Sequence, residues 1–289
     1  MNILLTGNKG FVGSHLEPKL KELGHEVVGF DIETSQVQDI RNTLSLNSLF
    51  NNNEFDVIVH LAALTGVRDG ENDAKSYIDT NVTGTRNLLE RAEGYKVKKF
   101  LFASSSSIYG ERDGACEESQ ANENVNSVYA FTKVAGENLC KMMKNVQTLI
   151  FRPFTVYGEN GREEMVIPKI IKAGQEGTVF EKYGDGGSTR GYTHIDDLCE
   201  GIVALLDYET EEKRAIFNLG GIEVISLNNL IEIVKKQFPK LKVKQVVRNP
   251  ADVEYSYADI SKAKDLLGWA PKRKFKGEIK KLCQEKKKS

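Results

Sequence analysis

An apolar run, Asn2-Ile3-Leu4-Leu5, leads straight into Thr6-Gly7-Asn8-Lys9-Gly10-Phe11-Val12-Gly13, and an amphipathic stretch follows to Leu23. A strand that turns this tightly into a helix restricts the chain more than any other feature. Gly7 permits the turn, Gly10 lets the backbone approach a pyrophosphate, and Gly13 lets the helix pack close to the strand. The helix N-terminus then offers free N–H groups to the phosphates. Spaced glycines are a weak signal alone. Between a strand and a helix they predict a dinucleotide site built from Gly7, Lys9, Gly10, Phe11, Val12 and Gly13.

The same rhythm continues through the first half. Strands are predicted at Asn2–Leu5, Glu26–Phe30, Val57–His60, Lys99–Ala103 and Gln147–Phe151, with helices at Gly13–Leu23, Lys75–Glu93 and Val128–Met143. Several strands are continuous apolar runs, as expected where helices cover both faces of a sheet. Alternating strands and helices imply an α/β fold, a Rossmann-type doubly wound parallel sheet with right-handed crossovers. The second half is less regular. Helices are predicted at Val166–Ala173, Asp196–Asp207, Leu227–Gln237 and Ser261–Leu267, with loops at Gly184–Gly187 and Arg248–Asp252. The span from Asp31 to Asp56 is short for two strands and two full crossovers. A short loop is therefore expected after strand two, with Gln36–Gln38 as a stunted third strand.

The second strand ends in Asp31, which can accept hydrogen bonds from an adenosine ribose and repels a 2′-phosphate. Glu33 adds to that repulsion, and the next cation along the chain is Arg41. NAD is therefore preferred over NADP. Asp39 is a candidate acceptor for the adenine amino group, with Ile40 packed on the ring. Leu61, Ala62 and Ala63 end a strand in small residues and leave room for a cofactor. His60, just before them, reads as a packed residue rather than a catalyst.

Tyr129 and Lys133 stand four apart in a predicted helix and so share a face. An ammonium beside a phenol favours the phenolate. The spacing is common among ten tyrosines, and Tyr95 and Lys99 match it too, at the beginning of a strand. Tyr129 is distinguished by Ser104-Ser105-Ser106-Ser107, a run of hydroxyls at the C-terminal end of a strand, where ligands bind in such sheets.

Composition narrows the partners. Lys plus Arg number 40 and Asp plus Glu 41, so the net charge is −1. A near-neutral chain has no global field to hold a nucleic-acid backbone or an anionic membrane, and neither is expected as a partner. Cys116, Cys140, Cys199 and Cys283 form no C-x-x-C pair and read as reduced thiols. The four histidines lack metal-ligand spacing, so no metal is expected. No basic leader or membrane-length apolar run is present, and a cytoplasmic protein is expected.

The glycine loop, Asp31, the His60-Leu-Ala-Ala run, the serine cluster and Tyr129/Lys133 together resemble the extended short-chain dehydrogenase/reductase family, specifically its nucleotide-sugar 4-epimerases. The likeness continues through Arg190-Gly-Tyr-Thr-His-Ile-Asp196-Asp197, Ala251-Asp252-Val253 and Tyr257-Ala-Asp-Ile-Ser-Lys-Ala263. It implies an NAD-binding domain of residues 1–152 plus about 192–217. A smaller α/β nucleotide-sugar-binding domain would span about 153–191 plus 218–289. It implies a catalytic set of Ser105, Tyr129 and Lys133, hydride exchange with NAD, and a homodimer through the helices near 75–93 and 128–143. Sugar 4,6-dehydratases carry Asp-Glu where this chain has Ser106-Ser107, and UDP-glucuronate decarboxylases carry Glu at 107; both reactions are disfavoured here. Thr155, Gly161-Arg162 and Thr65-Gly66-Val67-Arg68 resemble UDP-glucuronate 4-epimerases most, with Ser106, Ser107 and Thr155 as candidate ligands of a sugar carboxylate. A UDP-glucose/UDP-galactose epimerase and an NAD(P)H-dependent deoxysugar reductase are the alternatives. By motif position Arg68, Arg162, Arg190, Arg248 and Asp252 are further candidate contacts to the nucleotide sugar.

Overall fold

The computed structural model describes residues 1–121, 125–248 and 253–288, with Val67, Arg68 and Lys288 described by backbone alone. The first half runs β1 (Asn2–Thr6), α1 (Phe11–Glu22), β2 (Glu26–Phe30), α2 (Thr43–Asn52), β3 (Val57–His60), α3 (Val67–Asn72), α4 (Ala74–Ile78), α5 (Thr85–Gly94), β4 (Lys99–Ala103), α6 (Val128–Lys141) and β5 (Gln147–Pro153). The second half adds β6 (Val156–Tyr157), α7 (Val166–Glu176), β7 (Val179–Tyr183), β8 (Thr189–Gly191), β9 (Thr193–His194), α8 (Ile195–Asp207), β10 (Arg214–Leu219), β11 (Val224–Ser226), α9 (Leu227–Gln237), β12 (Lys242–Val246), β13 (Tyr255–Ser256), α10 (Ser261–Leu267) and α11 (Phe275–Lys288).

Six strands form one parallel sheet in the order β10-β5-β4-β3-β1-β2. Alternation along each strand sorts the core into two layers. Ile3, Leu5, Val57, Val59, Leu101, Leu149 and Phe151 face α1 and α8. Leu4, Ile58, Phe100, Phe102 and Ile150 face Leu46 and Phe50 of α2, Leu88 and Leu89 of α5 and Cys140 of α6. Each fully buried Leu, Ile or Phe contributes about 1.5–3 kcal/mol. The strand order reverses between β1 and β3, which opens a crevice at their C-terminal ends.

The link from β2 to α2 is a run of turns without a helix, as expected from its length. Gln36–Gln38 forms no strand. The Gln38 side-chain oxygen instead accepts from the Asp31 N–H at 3.1 Å and folds this segment back onto the end of β2. The predicted helix Lys75–Glu93 is interrupted by a π-helical turn, Asp79–Gly84. That turn places Asn81 so that it accepts from Leu64 N at 2.8 Å and donates to Leu64 O at 2.9 Å. The C-terminal helix α11 escaped the sequence reading. Its buried Phe275, Ile279 and Cys283 recur every fourth residue among lysines. They pack with Ile167, Ile170, Leu230 and Val234 into a separate core beside the sheet. Among the described residues, no helix is long and apolar enough to cross a membrane.

Candidate active site

A cavity of about 1340 Å³ runs along the C-terminal ends of the sheet strands, from the glycine loop to Ser256. A pocket for one small ligand is about 300–1000 Å³, so this one has room for two ligands end to end.

At one end, Gly7 has φ +73, and a Cβ there would lie 2.6 Å from Ala62 N. A Cβ on Gly13 would lie 2.1 Å from Gly7 O, so α1 could not pack where it does with any other residue. A Cβ on Gly10 would meet only Gly7 O, at 3.3 Å. The fold itself therefore constrains Gly10 less than Gly7 or Gly13. Gly10 caps α1 without a side-chain hydrogen bond, and the first turn holds no acidic residue. Its N–H groups are thus available to an anion. Lys9, Phe11 and Val12 line the same end of the cavity.

Asp31 lies at the end of β2 and lines the cavity. Its carboxylate accepts from Lys9 N and Glu33 N, each at 2.9 Å, which fixes its direction. Asp39 lines the cavity too, but both its oxygens are committed to Arg41, at 2.6–3.0 Å. The guanidinium holds the Asp39 carboxyl below the usual carboxylate range. Arg41 lines the cavity beside it, a residue the sequence reading noted only as the first cation after Asp31. Ile40 is buried against Gly84, and Leu61, Ala62 and Ala63 line the wall beyond. His60 is buried between Thr6 Oγ1 at 2.7 Å and Thr85 Oγ1 at 2.9 Å. Burial and the nearby Lys133 push it down to about 3, so the ring is neutral.

At the centre, Ser127 caps α6 by accepting from Ala130 N at 3.2 Å. The first two turns of this helix present Tyr129 and Lys133 to the cavity. Lys133 Nζ donates to Ala103 O at 2.8 Å and lies 5.8 Å from the Tyr129 ring centre. Burial pushes Lys133 down to about 8, against the pull of the Glu137 carboxylate. Burial pushes the Tyr129 phenol up, opposed by the Ser105 hydroxyl and by Arg162. This reverses the direction expected from the Tyr–Lys spacing alone. Desolvation is the larger effect, and the Lys133 ammonium is turned toward a carbonyl rather than toward the phenol oxygen.

Ser105 caps a short 3₁₀ turn, Ser106–Tyr109, by accepting from Ser107 N at 3.1 Å. Ser105, Ser106, Ser107 and Thr155 all line the cavity. The Ser107 hydroxyl oxygen is buried without a hydrogen-bond partner in the protein, a group that a ligand's polar atom can satisfy.

The candidate cations take different positions. Arg162 lines the cavity, hydrogen-bonds Thr65 Oγ1 and pairs with Glu164 at 3.3 Å. Arg190 lines the cavity and donates to Thr189 O, Val253 O and Glu254 O at 2.7–3.1 Å. Arg248 reaches Glu254 at 3.3 Å and Glu111 at 3.8 Å. The Arg68 side chain and all of Asp252 lie outside the described residues.

Two side chains that sequence reasoning missed shape the walls. Tyr77 donates to Thr65 O at 2.6 Å and sets its ring edge-on to Tyr129. Glu111 accepts from Glu254 N at 2.6 Å and Tyr255 N at 3.2 Å, which ties the serine turn to β13. No local spacing announces either contact.

The profile of the NAD dependent epimerase/dehydratase family matches residues 3–220. The UDP-glucuronate 4-epimerase of Thermodesulfobacterium geofontis (strain OPF15) is 35% identical, over 93% of this chain and 90% of that protein. Two solved structures superpose along the whole chain. MoeE5 in complex with UDP-glucuronic acid and NAD has a TM-score of 0.91 at 27% identity, covering 100% of this chain and 99% of that one. A Tyr→Phe variant of UDP-glucuronic acid 4-epimerase from Bacillus cereus, with UDP-4-deoxy-4-fluoro-glucuronic acid and NAD, has a TM-score of 0.91 at 32% identity, with the same coverage.

Proposed function

The chain belongs to the NAD dependent epimerase/dehydratase family, and we propose that it interconverts UDP-glucuronate and UDP-galacturonate by inversion at C4 through a transient 4-keto sugar. The observation that carries this reading is the reaction centre: Ser105, Tyr129 and Lys133 face one cavity whose serine turn holds no carboxylate at 106 or 107. Elimination of water needs an acid at that place, whereas epimerisation does not. The relatives named for UDP-glucuronate support the choice of sugar.

NAD fits the residues present. Gly7, Lys9, Gly10, Phe11, Val12 and Gly13 would hold its pyrophosphate at the uncapped end of α1, and Asp31 its adenosine ribose. Asp39, Ile40 and Arg41 border the adenine end, Leu61, Ala62 and Ala63 the wall between, and Lys133 the nicotinamide ribose. When bound, NAD supplies the acceptor and then the donor of the C4 hydride. Tyr129, as phenolate, takes the proton of the sugar 4-hydroxyl and later returns it to the 4-oxygen. Ser105 orients that oxygen and shares its proton with Tyr129. The Ser105 hydroxyl and the Arg162 cation oppose the desolvation that burdens the phenolate. Ser106, Ser107 and Thr155 take the sugar carboxylate by hydrogen bonding, and Arg162 and Arg190 face the diphosphate, with Arg68, Arg248 and Asp252 as further contacts.

In this reading, residues 1–152 and about 192–217 bind the cofactor, and about 153–191 and 218–289 bind the nucleotide sugar. The working unit is a cytoplasmic homodimer. Its contact is made by α4, α5 and α6, where Ile78, Phe131 and Met142 are 40%, 52% and 68% exposed. The test is to incubate purified protein with a panel of UDP-sugars without added cofactor and follow products by NMR. Formation of UDP-galacturonate from UDP-glucuronate is the expected result. Ready interconversion of UDP-glucose and UDP-galactose with UDP-glucuronate untouched overturns it.

A further inference from the structure

One buried ion pair lies directly behind the serine turn, and the proton-transfer chemistry leaves it unused. Arg152 of β5 and Glu137 of α6 meet at 2.8 Å, with side chains only 1% and 4% exposed. Such a pair is a poor device for stability, because apolar residues of the same volume hold a core as well. What it provides is direction. The Ser104 hydroxyl donates to Glu137 Oε1 at 2.5 Å, and Arg152 Nε donates to the same oxygen at 2.9 Å. The other arm of the guanidinium donates to the Tyr109 hydroxyl and to Glu118 O, each at 2.8 Å. Tyr109 in turn donates to Asn218 of β10 at 2.6 Å. The segment 104–109, which carries Ser105, Ser106 and Ser107, is thus held at both ends by one ion pair.

The consecutive residues at the end of β4 each meet α6. Ala103 O meets Lys133, Ser104 meets Glu137, and Ser105 meets Tyr129. Sliding the strand end against the helix would disturb all these contacts together. We propose that Glu137, gripped by Arg152, is a positioning residue that sets the register between the end of β4 and α6 on which the Ser105–Tyr129 and Ala103–Lys133 contacts depend. This inference rests on the assignment of Ser105, Tyr129 and Lys133 to proton transfer. The charge of Glu137 also supports the Lys133 ammonium one turn away. The titratable groups facing Lys133 are His60 from β3 and Tyr129 and Glu137 from α6; those facing Glu137 are Arg152, Lys133 and Cys140.

The test compares Ser104→Ala and Glu137→Gln with the unaltered holoenzyme, on whichever UDP-sugar the latter turns over, with kcat normalised to bound NAD. Misplacing the reacting groups is expected to lower kcat on the order of 10–100-fold in Glu137→Gln and about tenfold in Ser104→Ala, with KM within about threefold. The pH at which the rise of kcat/KM levels off is expected to move to lower pH in Glu137→Gln and to stay in place in Ser104→Ala. Wild-type kcat per bound NAD in both variants overturns the proposal, as does an activity loss that only tracks lost cofactor. If Glu137→Gln does not fold, Ser104→Ala decides by the same criteria. Tyr129→Phe is the control. Turnover surviving in it sinks the underlying assignment, whereas an inactive Tyr129→Phe beside fully active Ser104→Ala and Glu137→Gln sinks this inference alone.

Discussion

At neutral pH the Lys133 ammonium is buried beside the rings of Phe102 and Tyr129 with one carbonyl, Ala103 O, to accept from it. Burial lowers its pKa from the usual value near 10.5 to about 8. The sign follows directly. The folded state holds this proton less tightly than the unfolded chain, so the charged lysine opposes folding below pH 8. That cost fades as pH rises from about 8 toward 10.5, and its full size is about 3 kcal/mol. Lys133→Met is therefore expected to raise the thermal midpoint measured near pH 7, by less than the full amount because the Ala103 hydrogen bond is lost. The same variant is expected to lose at least about 100-fold in turnover. In the unaltered protein kcat/KM should rise with pH up to about 8 and level off above it, because Lys133 then loses its charge as fast as the Tyr129 phenol, held above its usual value, gains its phenolate. A rise that continues unbroken through pH 8 would separate Lys133 from the reaction. The Tyr–Lys spacing revealed this pair, but not which way the phenol is shifted. That depends on desolvation, which no spacing encodes.

Helix α1 is tied to β1 by contacts of backbone on backbone. The room for it exists because residue 13 has no side chain. Gly13→Ala puts a methyl 2.1 Å from Gly7 O, and neither partner can rotate away. The variant is expected to lose about 1–3 kcal/mol in a denaturant titration and to purify with little NAD. Gly10→Ala makes an instructive contrast, since its methyl meets the protein only at 3.3 Å. It is expected to keep wild-type stability within about 0.5 kcal/mol and to lose cofactor affinity alone. Equal losses in both measurements for the two variants would refute the distinction. The link after β2 teaches a related lesson. Its brevity was legible, because a short span excludes a full crossover. Its course was not, because it is set by the Asp31–Gln38 side-chain hydrogen bond together with the backbone turns Thr34 N to Asp31 O and Gln38 N to Ser35 O, which fold the segment away from the sheet edge. The π-helical turn was likewise invisible as a pattern. It serves Asn81, which grips both the N–H and the carbonyl of Leu64 and donates to Thr132, next to Lys133.

Across the molecule, helix α6 presents two different faces. One carries Tyr129 and Lys133 into the cavity, and the other leaves Phe131 exposed, as is Met142 just past the helix end. Phe131→Glu is expected to convert the proposed dimer to monomer in sedimentation equilibrium, since a charge in the centre of an apolar contact costs several kcal/mol. A variant that stays dimeric would place the contact elsewhere. The continuous apolar runs of β1, β3, β4 and β5 predicted a sheet covered on both faces, and the glycine loop predicted the crevice, because strand and helix patterns are local properties of the backbone. The same local logic placed Ser105 at a strand end and Tyr129 with Lys133 on one helix face. Partner choice was decided only in three dimensions. Arg152 finds Glu137 and Tyr109, Glu111 finds the backbone of β13, and Asp39 turns to Arg41. Most of these contacts depend on the register between elements that are far apart in the chain, and all of them on how each polar group is satisfied once water is excluded. The amino-acid sequence by itself determined which elements form and which chemistry they carry. The tertiary structure alone decided how those groups are aimed, because direction comes from packing and packing is a property of the whole molecule.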